Sequence, residues 1–315
     1  MNLDGKNIQP IDAAVSAKPT SIFHKKKKAN SSSMQYFLLL LPPLLFFTVG
    51  MIIPLMMGIY NSFTDWDGIS LEKHWIGLAN YMEIFKDEMF INSFKFTGLF
   101  MIFNTLIQNV AAFVFAVFLD SSIRAKNFYR IIIFAPVLLS PILVGQIWTK
   151  MYGTILPSIN DILGLSINFN LFSSPDTVLT GLVIANNWQW IGYWMLIYLA
   201  GLQAVPKDLY EACTVDGGNW WQKFLHITIP MLGPSITICT IGIATGSLKV
   251  YELIVASTGG GPGDSSKSTI MYIYDSAFMS QRSSYASAMS VVFLFVLLIF
   301  AFIQLKILRK REVEL

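Results

Sequence analysis

Residues 186–194 read NNWQWIGYW, amides and aromatics together inside an otherwise apolar stretch. Aromatic faces stack on sugar CH surfaces while Asn and Gln exchange hydrogen bonds with hydroxyls, so these residue types suit a saccharide. The same types also form the interfacial belt of a membrane protein, and that belt is the reading composition alone favours. Lys249 and Glu252 pose a similar choice. Charged groups within a span usually face a cavity or each other, and a three-residue spacing lets them pair on one helix face. Near the outer end of a span they could equally snorkel to the interface. If they line a passage, an acidic or otherwise charged saccharide becomes conceivable.

Enzyme chemistry finds little support. The three histidines, His24, His74 and His226, lie in three different segments, with neither a His-Glu-x-x-His run nor a Cys-x-x-Cys pair, so no metal site is expected. No Gly-x-Ser-x-Gly elbow occurs. The stretch GPGDSSKS, 261–268, resembles a phosphate-binding loop but carries Ser266 where the second glycine should be; it reads as a turn, and the chain is expected to hydrolyse no nucleotide and to hold no cofactor of its own. Cys213 and Cys239 imply no disulfide framework.

The elements that hold these side chains are membrane helices. The chain is 54% hydrophobic and only 13% charged, against about 25% charged for an ordinary soluble domain. Six apolar blocks, about 34–60, 93–119, 129–151, 178–204, 231–256 and 285–308, have the roughly 20 residues needed to cross a bilayer as a helix. Continuous apolarity rather than alternation excludes a barrel. The fold class expected is therefore an all-α membrane protein with six transmembrane helices. Lys25 to Lys28 precede the first block, Arg124, Lys126 and Arg130 separate the second from the third, and Lys306, Arg309, Lys310 and Arg311 follow the last. The positive-inside rule puts these segments, and both termini, in the cytoplasm, with the acid-rich segment 61–92 outside. The lysine run is read as a topology signal. A cleaved secretory leader would have a shorter apolar run and a small-x-small site, and a net charge of +3 gives no reason to invoke nucleic acid. Residues 1–33 are expected to be a disordered basic tail, 34–308 the membrane domain and 309–315 a short cytoplasmic tail.

One polar stretch between the fourth and fifth blocks, PKDLYEACTVDGGNWWQKFLHITIP (206–230), is then cytoplasmic. Pro206 suits a first helical position, and Asp208 and Glu211 near the first turn complement the helix dipole. Gly217 and Gly218 stop this helix, and Asn219 caps a second that runs to Pro230. Such a glycine-cornered pair could dock on a partner or lie on lipid with Trp220 and Trp221 in the headgroups.

This stretch resembles the "EAA" loop of ABC importer permeases, Glu-Ala-Ala-x-x-x-Gly, nine residues, then Ile-x-Leu-Pro. The matching positions are Glu211, Ala212, Cys213, Gly217, Ile227, Ile229 and Pro230, with Asp216 and Phe224 also fitting. ASTGGGPGDSSKSTIMYIYDSAF (256–278), GLANYMEIF (77–85) and RIIIFAPVLLSPILVGQIW (130–148) are similar to the maltose-type carbohydrate permeases of that family. The resemblance implies the type I importer permease fold in a bacterial cell membrane, with loop 205–230 as the coupling-helix loop. It also implies a second homologous permease as partner, two ATP-binding subunits that carry the ATP and Mg, and an extracellular solute-binding protein delivering a sugar.

On that resemblance Glu211 is an ionic or hydrogen-bonding contact to an ATPase and Gly217 the sharp turn. Leu209, Ala212, Asp216, Phe224 and Pro230 complete the rigid coupling loop. Asn186, Trp188 and Tyr193 correspond to sugar contacts on the fourth span; Gly246, Ser247 and Val250 fall where the fifth supplies more. Two alternatives are an ion-coupled secondary transporter, for which the spans hold few ionisable groups, and a permease for a non-sugar or charged-saccharide solute.

Overall fold

The computed structural model describes residues 29–121, 123–164 and 169–309. Lys25 to Lys28, most of the 1–33 tail, Lys310 and Arg311 lie outside them. The described residues are nearly all helical, with one isolated antiparallel bridge, Thr64 to Trp75. The chain divides into two units, Met1–Pro54 and Leu55–Leu315. In the first, α1 (Ala29–Phe47) starts within the segment expected to be tail, carries Pro42 and Pro43, and passes into a π-turn, Thr48–Ile52. Helix α2 (Ile53–Asn61) begins in this unit and continues as the start of the second, and the run Tyr36–Asn61 is long and apolar enough to cross a membrane.

The second unit continues with α3 (Ala79–Ile84), α4 (Glu88–Asp120), α5 (Lys126–Phe134), α6 (Pro141–Lys150) and α7 (Leu156–Ile162). Next come α8 (Pro175–Ala204), α9 (Lys207–Val215), α10 (Trp220–Lys223), α11 (Ile229–Met231) and α12 (Gly233–Leu248). The series ends with α13 (Glu252–Ser257), α14 (Thr269–Tyr274) and α15 (Ser283–Arg309). Among the described residues three helices qualify as spans by length and composition, Tyr36–Asn61, Glu88–Asp120 and Ser283–Leu308; two bent pairs raise the number to five. Helix α8 is long enough at 30 residues but is diluted by its amides.

Two expected spans are broken. The block 129–151 bends by 100° between Leu138 and Pro141. Pro136 and Pro141 lack the N–H that would continue a helical ladder, Ser140 Oγ caps the new helix by accepting from Leu143 N at 3.3 Å, and Gln189 Nε2 donates to the freed Leu139 carbonyl at 2.9 Å. The block 231–256 is likewise not one helix: α12 ends at Leu248 and α13 begins at Glu252. Lys249 and Glu252 therefore do not share a helix face, and of the two readings open to them the pairing on one face gives way to a break. A Cβ on Gly145 of α6 would lie 3.0 Å from the Leu253 carbonyl, so α13 tucks against α6 through that glycine, the small-residue contact by which membrane helices approach closely.

The core of the second unit is the packing of α4, α8 and α12. Ala112, Ala116 and Leu119 of α4 meet Met195, Tyr198 and Leu199 of α8 and Cys239 and Ile243 of α12. At one end Asp87 caps α4 through Oδ1, accepting from Met89 N and Phe90 N, while Oδ2 accepts from the hydroxyls of Tyr272 and Tyr285 at 2.7 and 2.6 Å. One carboxylate thus ties α4, α14 and α15 together. Burial pushes its pKa up, but these hydrogen bonds outweigh it and hold the group below its usual value.

Candidate functional site

A cavity of about 490 Å³ opens among α4, α8, α12 and α13. Asn104 and Gln108, Asn186, Ser247, Lys249 and Glu252 give it polar walls, and Trp190, Tyr193, Trp194 and Tyr251 give it aromatic ones. The fold thus brings together five of the six residues singled out as substrate contacts. Lys249 and Glu252 are both exposed, and neither forms an ion pair among the described residues.

Trp188 lies elsewhere. It lines an almost wholly apolar cavity of about 470 Å³ and meets Trp148 edge to face at 5.9 Å. Helical geometry explains the separation: at 3.6 residues per turn, positions seven apart, such as Asn186 and Tyr193, share a face, whereas positions two apart point more than 90° from one another. Trp190 and Trp194, four and eight residues after Asn186, are the tryptophans on the cavity face.

Behind the cavity lies a buried polar network. Asn104 Nδ2 donates to Ser247 Oγ at 2.7 Å and to Gln108 Oε1 at 3.3 Å, and Asn187 Nδ2 donates to Asn104 Oδ1 at 2.9 Å. Asn187 also donates to the Val183 carbonyl, and Ser247 to that of Ile243. One turn further along α4, Asn109 Oδ1 accepts from Tyr198 and Thr240 hydroxyls at 2.7 and 3.4 Å. Interhelical bonds of this kind are each worth about 0.6 to 1.7 kcal/mol in a membrane. Buried Gln108 Nε2, on the cavity wall, has no protein partner. Asn104 and Gln108 were missed by sequence reasoning, although two amides four residues apart in an apolar helix mark a common polar face.

The polar stretch 206–230 folds into the expected corner. Pro206 is the cap rather than the first helical residue of α9. Gly217 has φ +78°, a conformation that L side chains resist, and Gly218 follows in contact with Cys213, where a Cβ would collide with the thiol. Asn219 and Gln222 form a reciprocal capping box at 2.7 and 3.0 Å, and Tyr210 and Thr228 hydroxyls join the two arms at 3.0 Å. Glu211, Ala212, Asp216 and Gly217 are exposed. Leu209, Ala212 and Asp216 line a groove with Cys213, Gly218, Gln222 and His226. Phe224 points inward, stacked on Trp220 at 5.2 Å and touching Phe113 of α4 at 6.0 Å. Pro230 sits at the start of α11, where the arm turns toward α12.

The stretch 261–268 is a turn. Its Lys267 pairs with Asp264 at 2.8 Å and Asp275 at 3.2 Å. Burial lowers the Lys267 pKa, but those two carboxylates more than reverse this and leave it raised. Ser266 is buried against Thr258 and the Gly261 carbonyl.

Apolar helices around a polar and aromatic cavity, joined to a stiff exposed corner, have the make-up of a membrane permease. The chain belongs to the family "Binding-protein-dependent transport system inner membrane component", whose model matches residues 89–313. It is therefore a multi-pass cell-membrane protein of ABC import systems, and the secondary-transporter alternative falls. It is 34% identical over 265 residues to the "Probable starch degradation products transport system permease protein AmyD" of Thermoanaerobacterium thermosulfurigenes, covering 84% of this chain and 90% of that protein. It is 27% identical to the sn-glycerol-3-phosphate transport system permease protein UgpA of Agrobacterium fabrum, covering 82% and 89%. Its fold is shared with a crystal structure of a bacterial ABC transporter involved in the import of the acidic polysaccharide alginate, with TM-score 0.77, 20% identity and coverage of 89% and 96%.

Proposed function

We propose that this permease forms half of the translocation pathway for a saccharide in an ATP-driven importer, and that the cavity among α4, α8, α12 and α13 is its passage. The observation that carries this reading is the convergence there of Asn186, Tyr193, Ser247, Lys249 and Glu252 with Trp190. A sugar's hydroxyls each cost several kcal/mol in hydrocarbon without partners, and this cavity offers partners beside stacking faces. Relatives named for starch degradation products and for multiple sugars support the saccharide class. Lys249 and Glu252 oppose each other in sign, which favours a neutral sugar over a charged one.

The corner 206–230 would dock on an ATP-binding subunit, with Glu211 as the polar contact and Gly217 as the turn. A second permease would complete the passage, two ATPases would hold ATP and Mg, and a solute-binding protein would deliver the sugar from outside. That last partner is supported by a solved relative of the same fold, the alginate transporter in complex with its saccharide-bound periplasmic protein. With α8 and the two bent pairs each taken as a span, the chain would cross the membrane six times with both termini in the cytoplasm. Reconstitution of the full complex in liposomes tests the reading: ATP-dependent uptake of at least one saccharide, stimulated by the binding protein, is expected, and uptake of none across a broad panel refutes it.

A further inference from the structure

The aromatic lining of the cavity does not end at its mouth. Tyr251, on the cavity wall, lies 5.7 Å from Tyr274, the last residue of α14, and Tyr274 lies 4.9 Å from Phe278 in the π-turn Asp275–Met279. Tyr274 is 40% exposed and Phe278 69%. Inside the cavity Trp190, Tyr193 and Trp194 form a series of their own, with neighbouring rings 6.3 and 4.9 Å apart. Aromatic rings thus run from an exposed surface to a cavity wall at Tyr251, and a second set of three lines the same cavity.

The surroundings restrict what this track can hold. Asp275 beside it is already paired with Lys267; Glu252 and Lys249 at the cavity rim are opposite in sign. A charged chain would gain little, and a lipid tail would meet the tyrosine hydroxyls and the rim charges. Sugar rings present apolar CH faces to aromatic planes while their hydroxyls stay hydrated at the edges. Ring spacings near 5 Å are comparable with the repeat of a pyranose chain. We propose that Tyr251, Tyr274 and Phe278 form a stacking track along which a neutral linear oligosaccharide enters the cavity, successive sugar rings resting on successive aromatic ones. This rests on the saccharide reading above and narrows it to oligomers. Stacking without fixed hydrogen bonds lets the chain advance without breaking a strong contact at each step.

The test uses the complete transporter, with its partner permease, ATPases and binding protein, in proteoliposomes. The probes are linear glucose, xylose and N-acetylglucosamine oligomers with their monosaccharides. In Phe278→Ala and Tyr274→Ala the ratio of KM for the longest transported oligomer to that for the shortest should rise about tenfold, the size of one lost stacking contact, and Phe278→Trp should restore it. Because Phe278 is mostly exposed, its truncation removes little packing, and assembly of the complex is checked by co-purification. A chain-length-independent change, no change, or loss of the partner permease from the complex each overturns the track. Failure of the wild type to take up any probe instead overturns the saccharide reading itself.

Discussion

The glycine corner at 206–230 and the cavity obtain their rigidity in opposite ways. The corner is assembled from 25 consecutive residues, and its shape follows from signals within that stretch: a left-handed Gly217, a capping box between Asn219 and Gln222, and one hydroxyl pair, Tyr210 with Thr228, between its arms. The cavity is assembled from α4, α8, α12 and α13, and the bond from Asn104 to Ser247 spans 143 positions. Contacts made within one short stretch of chain stiffen the first, and hydrogen bonds between helices distant in sequence stiffen the second. A local device can transmit force as a unit while the helices move. A distributed one can change shape when they do.

The largest expected effect is at the corner. Gly217→Pro demands φ near −65° where the chain adopts +78°, so the two arms cannot keep their angle. Uptake should fall to background, at least about a hundredfold, while membrane insertion, followed by fractionation, stays normal. Glu211→Lys, which leaves the backbone intact, should uncouple ATP hydrolysis from transport. Full transport by either variant would remove the corner from the coupling path.

Next in size is a lesion in the distributed region. Asn104→Leu strips partners from buried Asn187 and Ser247, at a cost of about 1 to 3 kcal/mol for orphaned groups. Thermal unfolding of the detergent-extracted protein should shift down by several degrees. An unchanged transition would mean that α4, α8 and α12 are held by apolar packing alone.

The contrast also explains what was legible in the sequence. The corner's glycines, cap and second helix were readable because their causes are local. Apolar block length located the helices but neither the bend at Leu138–Pro141, where Gln189 arrives from another helix to take the Leu139 carbonyl, nor the break between Leu248 and Glu252. In the cavity, Asn186 and Tyr193 were found together with Trp188 because they are neighbours in sequence, although Trp188 turns to the other face. Asn104 and Gln108 escaped notice because their role exists only once α4 meets α12.

A third prediction turns on those two tryptophans. Trp190→Ala should raise KM for uptake about tenfold, as expected for one lost stacking surface, and Trp188→Ala should raise it less. The reverse order in transport assays would put the sugar-stacking surface in the apolar cavity beside Trp148 and reassign the passage to that side of α8.

The smallest effect lies at the end of the bundle, where one carboxylate combines both strategies: Asp87 caps its own helix locally and also receives Tyr272 and Tyr285 from distant ones. Its depressed pKa fixes the sign of the pH dependence. The charged form gains in the folded state, so the stabilisation is complete above the ordinary carboxylate value of about 3.9 and is lost as pH falls through the lower folded value. Between about pH 5 and 8 Asp87 should contribute no slope. Below that window the wild type should lose thermal stability faster than Asp87→Asn, which cannot ionise and can still accept hydrogen bonds through its carbonyl oxygen. Both proteins keep the neighbouring Glu83, Lys86, Glu88 and Arg282, so the difference between the two melting profiles isolates Asp87. Parallel profiles would mean that the tyrosines bond this oxygen without regard to its charge, and that this end of the bundle is held by packing around Tyr285 and Met289.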